Sequence, residues 1–263
     1  GVHLDLHSFP TRLSSDLIFF NFPSNLYMSV FAFYNGSSNI EILNCRFYLA
    51  AQYDTYNIIE NDGSKTDSIT IEGNCFRGGF RHIFLEKSST QNLTDIKIKK
   101  NHFYNPSVSV MLIKNVQNLE VDSNYILFDT LRYSSYLIPS SGTTIRGIAI
   151  HTRDTGIYIT RNRIIFDNAF DVLSSPMSFQ GVRVQSTNSS SVYRSDNLLI
   201  ANNEIAIRNF SNSNTNTGIS FDKADNIKVY NNSIYIHAKN NVQGIIGSSS
   251  NSPRLRNNNI HVE

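Results

Sequence analysis

Apolar residues at alternate positions, a polar bend and one further apolar residue form a phrase that recurs eight times along this chain. The copies run Ile40-Glu41-Ile42 to Phe47, Ile69-Thr70-Ile71 to Phe76, Ile96-Lys97-Ile98 to Phe103, and Leu119-Glu120-Val121 to Ile126. They continue as Ile157-Tyr158-Ile159 to Ile164, Leu198-Leu199-Ile200 to Ile205, Ile227-Lys228-Val229 to Ile234 and the degenerate Pro253-Arg254-Leu255 to Ile260. Alternation predicts strands with one buried face, and a fixed bend predicts that each copy repeats one strand, bend and strand. One slot in the bend is constant: Asn74, Asn101, Asn124, Asn162, Asn203, Asn232 and Asn258 fill it, with Cys45 in the first copy.

The copies begin roughly 25 to 40 residues apart, which suits a coil of three strands joined by loops of unequal length. A second alternating phrase supplies the third strand. It reads His82-Ile83-Phe84-Leu85, Val110-Met111-Leu112-Ile113, Gly147-Ile148-Ala149-Ile150, Gly181-Val182-Arg183-Val184, Gly218-Ile219-Ser220-Phe221 and Gly244-Ile245-Ile246-Gly247. Most copies open on glycine, so each is expected to be entered from a tight turn at that residue. Stacking identical slots about 4.8 Å apart makes a ladder of Asn side chains that satisfies the buried polar groups of the bend. The expected inward columns are Ile42 to Val229 on one strand and Asn74 to Asn258 at the bend, and helix is expected to be nearly absent.

On these phrases the chain from about Phe31 to Glu263 resembles the right-handed parallel β-helix proteins of the pectate-lyase-like superfamily. The resemblance implies an all-β, single-stranded parallel β-helix of about eight coils with an Asn ladder. It leaves function open, because lyases, hydrolases, epimerases, tailspikes and surface adhesins share this architecture. Residues 31–263 are expected to form one solenoid domain, since in such a fold the core grows coil by coil. Residues 1–30 are expected to be either a cap or a segment of doubtful origin. The final strand His261-Val262-Glu263 lacks a polar cap, so a chain truncated at its C-terminus is expected.

Charge narrows the partners. Only 17% of the residues are charged and the net charge is +2, so no broad basic face points to nucleic acid. No apolar run reaches the 18 or so residues of a membrane span, the nearest, Leu17 to Phe33, being broken at Asn21-Phe22-Pro23-Ser24-Asn25. Abundant Asn, Ser and Thr suit a polysaccharide or glycan partner at an extracellular or cell-surface location. The cysteines, Cys45 and Cys75, occupy offset slots in neighbouring coils and are expected to pack as small residues rather than to bridge.

Aligning the second phrase places Glu86, Lys114, His151, Gln185, Asp222 and Ser248 in one outward column. Phe84, Leu112, Ala149, Arg183, Ser220 and Ile246 form its neighbour. Insertions Asp129 to Thr144, Asp167 to Phe179 and Asn209 to Thr217 are expected to wall a groove beside them. A uronate lyase or epimerase neutralises a carboxylate, removes the C5 proton and protonates a leaving oxygen, tasks for Arg, Lys and His. Arg183 or Arg153 is the candidate for the carboxylate and Lys114 or His151 for the base. Asp154 or Asp222 is the candidate for orienting that base or for holding a metal, which in a lyase of this kind would be Ca²⁺. Tyr133, Tyr136, Tyr193 and Lys223 are candidates for contacts to substrate.

Known enzyme motifs fit less well. Of the polygalacturonase set only Asn216-Thr217-Gly218 approaches the first motif, and His151-Thr152-Arg153-Asp154 matches the alginate-epimerase Asp-Pro-His-Asp motif in part. Two functions therefore stand side by side: a lyase- or epimerase-like enzyme on acidic polysaccharide, and a non-catalytic segment of an adhesin or tailspike-like glycan-binding protein.

Overall fold

The computed structural model describes residues 11–14, 18–20, 29–33, 37–49, 57–61, 66–86, 93–129, 143–151, 155–168, 177–186, 196–210 and 215–263, with side chains from residue 29 onward. Every regular element among them is a strand, and the strands pair in parallel into two nine-stranded sheets and one eight-stranded sheet. One coil shows the path. Ser109–Lys114 lies in sheet C, Val116–Asp122 in sheet A and Tyr125–Asp129 in sheet B, and Thr144–His151 returns to sheet C beside the starting strand. The protein is thus a parallel β-helix. Ahead of residue 30, Thr11–Ser14 and Ile18–Phe20 pair with the next strands of sheets A and B. Among the described residues no helix is long and apolar enough to cross a membrane.

Register agrees with the expected columns. Ile42 pairs with Ile71, Ile71 with Ile98, Ile98 with Val121, Val121 with Ile159, and Ile200 with Val229. All are buried, as alternation with one apolar face requires. In sheet B the rings of Phe47, Phe76 and Phe103 stack with centroids 4.8 and 4.9 Å apart, one ring per coil.

The corner between sheets A and B costs backbone energy and is stabilised by the Asn ladder. Just before each ladder residue, Asn44, Gly73, Lys100, Ser123, Arg161, Asn202, Asn231 and Asn257 take φ between 52° and 70°. For a residue other than glycine that conformation costs about 1 kcal/mol or more. In return, the Oδ1 of each ladder Asn from Asn101 onward accepts the backbone and side-chain N–H of the Asn one coil earlier, as between Asn74 and Asn101 at 2.9 and 3.0 Å. Each Nδ2 also donates to a strand carbonyl, such as Asn101 to Ile71 at 2.8 Å. Cys45 heads the ladder, donating its amide to Asn74 Oδ1 at 2.8 Å. The two cysteines do not bridge each other, since the pairing sets Cys75 against Arg46 rather than Cys45.

The glycines of the second phrase are not turn residues. Gly147 lies inside Thr144–His151 and Gly181 inside Ser178–Gln185. The strand bends there and its alternation slips by one residue, so that consecutive positions such as His82 and Ile83, or Val110 and Met111, are both buried. A Cβ on Gly181 would lie 2.6 Å from the Gly218 carbonyl oxygen and 2.7 Å from Ile205 Cγ2. Glycine is needed for close approach rather than for a positive φ.

Candidate functional site

Because sheet C bends at the glycine column, its outer face carries three rows of side chains. Two are the expected ones. Lys114 pairs with His151, His151 with Gln185, Gln185 with Asp222 and Asp222 with Ser248. Alongside, Leu112 pairs with Ala149, Ala149 with Arg183 and Arg183 with Ser220. Ala149 is fully buried rather than exposed, a methyl group covered by longer neighbours. The third row lies on the far side of the bend and holds Arg81, Ser109, Arg146 and Gln180.

That third row was missed in the sequence for a physical reason. Counting by twos from the inward Ile148 makes Arg146 inward, whereas the slip in alternation at Gly147 turns it outward. The available signal is a basic residue two places ahead of an inward aliphatic, as in Arg81-His82-Ile83 and Arg146-Gly147-Ile148.

The face is cationic. Lys114 Nζ lies 2.8 Å from Glu86 Oε2 and 5.4 Å from the centre of the Phe84 ring. The Arg81 guanidinium sits over the Phe80 and Phe84 rings at 4.5 and 4.9 Å, within the electrostatic reach of Glu60 and Glu86. Arg146 donates from Nε to Gln180 Oε1 at 3.1 Å, and Arg183 donates to the Gln185 side-chain oxygen. Burial, then the neighbouring charges of Arg183 and Arg81, lower the Arg146 pKa from its usual value.

His151 reports on the same crowding. Burial, followed by the charges of Arg183, Arg146 and Lys114, pushes its pKa down to about 4, so the imidazole is neutral at physiological pH. Its buried Nε2 has no hydrogen-bond partner among the described residues, and neither has Ser220 Oγ. A neutral imidazole and a hydroxyl therefore stand among three cations, an arrangement suited to binding an anion.

The structure brings Lys114, His151 and Arg183 together. Asp222 lies two coils beyond His151 in the same row and accepts a hydrogen bond from Ser248 Oγ at 2.7 Å. Lys223 follows at the corner leaving sheet C, with φ of 52°. Among the described residues no group of three or more His, Cys, Asp or Glu side chains is placed to hold a metal ion. Arg153, Asp154, Tyr133, Tyr136 and Tyr193 lie outside the described residues, as do residues 130–142, 169–176 and 211–214 of the expected groove walls.

No protein-family model matches the chain, and no curated protein matches it. One similar solved structure is that of the surface protein and adhesin PfbA of Streptococcus pneumoniae, with a TM-score of 0.47 and 16% identity over 89% of this chain. The match covers 66% of that chain, so the protein spans just under two thirds of its length.

Proposed function

We propose that residues 31–263 form an extracellular or cell-surface β-helix domain of the pectate-lyase-like type that binds acidic polysaccharide on the outer face of sheet C. The observation that carries this reading is the convergence of Arg146, Arg183 and Lys114 around His151, each near enough to oppose its protonation. Cations held this close in a partly desolvated face gain most from an anionic partner that relieves their mutual repulsion. Arg183 supplies a planar guanidinium for a uronate carboxylate or a sulfate, and the neutral His151 beside it adds no competing charge.

Binding without catalysis is the first reading. A base that removes the C5 proton of a uronate works best with a pKa near the operating pH, and His151, at about 4, is a weak one. Lys114 remains the candidate base for the lyase or epimerase reading, which therefore stands second.

Affinity electrophoresis on pectate, alginate and glycosaminoglycan gels tests both. Retardation by at least one polymer is expected, weakening as salt rises. Arg183→Ala should weaken binding about tenfold, the loss of one hydrogen bond to a charged group of roughly 1.5 kcal/mol. Unsaturated product absorbing in the ultraviolet would bring the lyase reading to the front. Failure to be retarded by any of these polymers would sink the acidic-polysaccharide reading.

A further inference from the structure

The outer face of sheet B carries a different pattern. Register stacks Tyr48 on Arg77, Arg77 on Tyr104, and Tyr104 on Leu127. The same column continues through Ile165, Ala206 and Tyr235 to His261. It is aromatic towards both ends and aliphatic in the middle, and at one residue per coil it spans about 34 Å.

Polar residues flank it, and beside its middle their charges are paired. On one side Arg163 Nε lies 3.2 Å from the Glu204 carboxylate; on the other, Arg208 Nε donates to Asp167 Oδ1 at 2.9 Å. Two concavities sit on this column. Near one end Tyr48, Tyr104, Leu127, Arg77 and Asp129 line a hollow of about 180 Å³. Near the other, Tyr235 and His261 stack with ring centroids 5.4 Å apart and planes within 10°. Together with Ala206, Glu204, Asn231 and Asn259 they line an open depression of about 730 Å³.

We propose that this column is a binding track for a neutral polysaccharide lying along the axis of the β-helix. A pyranose chain presents apolar C–H faces and hydroxyl edges. Flat phenol and imidazole rings match the faces, and the flanking amides, carboxylates and guanidinium groups match the edges. Because the ion pairs beside Ile165 and Ala206 neutralise one another across adjacent coils, the middle of the track favours an acidic chain less than the cationic face of sheet C does. Its length and regular spacing select a polymer over a single sugar. A peptide is disfavoured because strand addition needs free backbone at a sheet edge, whereas this face offers side chains alone. The proposal is independent of the reading of sheet C.

Calorimetric titration with soluble gluco-, manno-, xylo- and galacto-oligosaccharides of increasing length tests it. At least one series should bind, more tightly as the chain lengthens and equally in low and high salt. Tyr104→Ala and Tyr235→Ala should each weaken binding about five- to tenfold, the value of one aromatic contact. Ala206→Glu, which obstructs the middle of the track on a half-buried outward position, should abolish binding of long chains while leaving the circular dichroism spectrum unchanged. Arg183→Ala should have no effect. Absence of binding in every series, or binding that survives all three track substitutions, would overturn the proposal. So would self-association in light scattering that Ala206→Glu removes, since the face would then belong to a second copy of the chain.

Discussion

At Asn162 a single side chain holds three coils in register. Its Oδ1 accepts the Asn124 backbone and side-chain N–H groups at 3.1 and 2.9 Å, and its Nδ2 reaches the Val121 carbonyl at 2.9 Å and Asn203 Oδ1 at 3.0 Å. Leucine has the same branching but is larger and offers neither donor nor acceptor. Asn162→Leu therefore strands the Asn124 amides and the Val121 carbonyl away from water. Each stranded group costs about 1–3 kcal/mol, so a drop of that order or more is expected in the unfolding free energy from denaturant titration. The same change at exposed Asn240 should leave the unfolding free energy within about 0.5 kcal/mol. Equal losses at the two sites would mean that the ladder adds no stability beyond ordinary surface polarity.

Strands and corners were legible in the sequence because their signals are local and repeated. Alternation around Ile69-Thr70-Ile71 gives the face, and the constant Asn slot gives the corner. Two outward columns of sheet C followed from the same count, and Lys114, His151 and Arg183 came together as that count required. The bend at Gly147 and Gly181 was not legible, since glycine signals a turn and a close approach equally well and the carbonyl it must clear belongs to a strand 34 or 37 residues away. Losing the bend hid Arg81 and Arg146. A second Asn network, Asn168 to Asn209 and Asn209 to Asn216, each at 3.0 Å, also escaped notice because these residues sit beside loops of unequal length. The role of the bend is testable at Gly181. A methyl group there meets backbone on one side and the buried Ile205 on the other, so Gly181→Ala should destabilise the fold by about 1–3 kcal/mol in chemical denaturation. Gln180→Ala, one position away and facing outward, should cost far less.

Across the whole molecule, stability is nearly a sum over coils, so a penalty placed in one coil is felt there first. His82 places such a penalty. It is fully buried in the slot that glycine fills in later coils, with its ring 5.9 Å from Phe76 and 5.6 Å from Phe103. Neither ring nitrogen has a hydrogen bond of good geometry. Burial, opposed only by the nearby Gly78 backbone, pushes its pKa from 6.5 down to about 3. Above pH 6.5 the imidazole is neutral in both folded and unfolded chains and has no effect on the pH dependence. Between 6.5 and about 3 the unfolded chain takes up the proton and the folded one does not. Stability therefore falls by about 1.4 kcal/mol per pH unit and levels off below about 3. His151, depressed to about 4 but less deeply buried, adds a smaller loss with the same sign. Asp122 acts later: burial opposes its ionisation, yet hydrogen bonds from Arg161, Thr160 and Ser123 hold its carboxyl below the usual range, so its stabilisation is lost only below about pH 4. His82→Phe places a third ring between Phe76 and Phe103 and removes the early loss. The variant should gain more over the parent at pH 5 than at pH 7.5 in urea midpoint. Hydrogen exchange at pH 5 should show the parent opening first in the coils that carry Phe76 and Phe103. An equal gain at both pH values would show that His82 is protonated in the folded state, contrary to its burial.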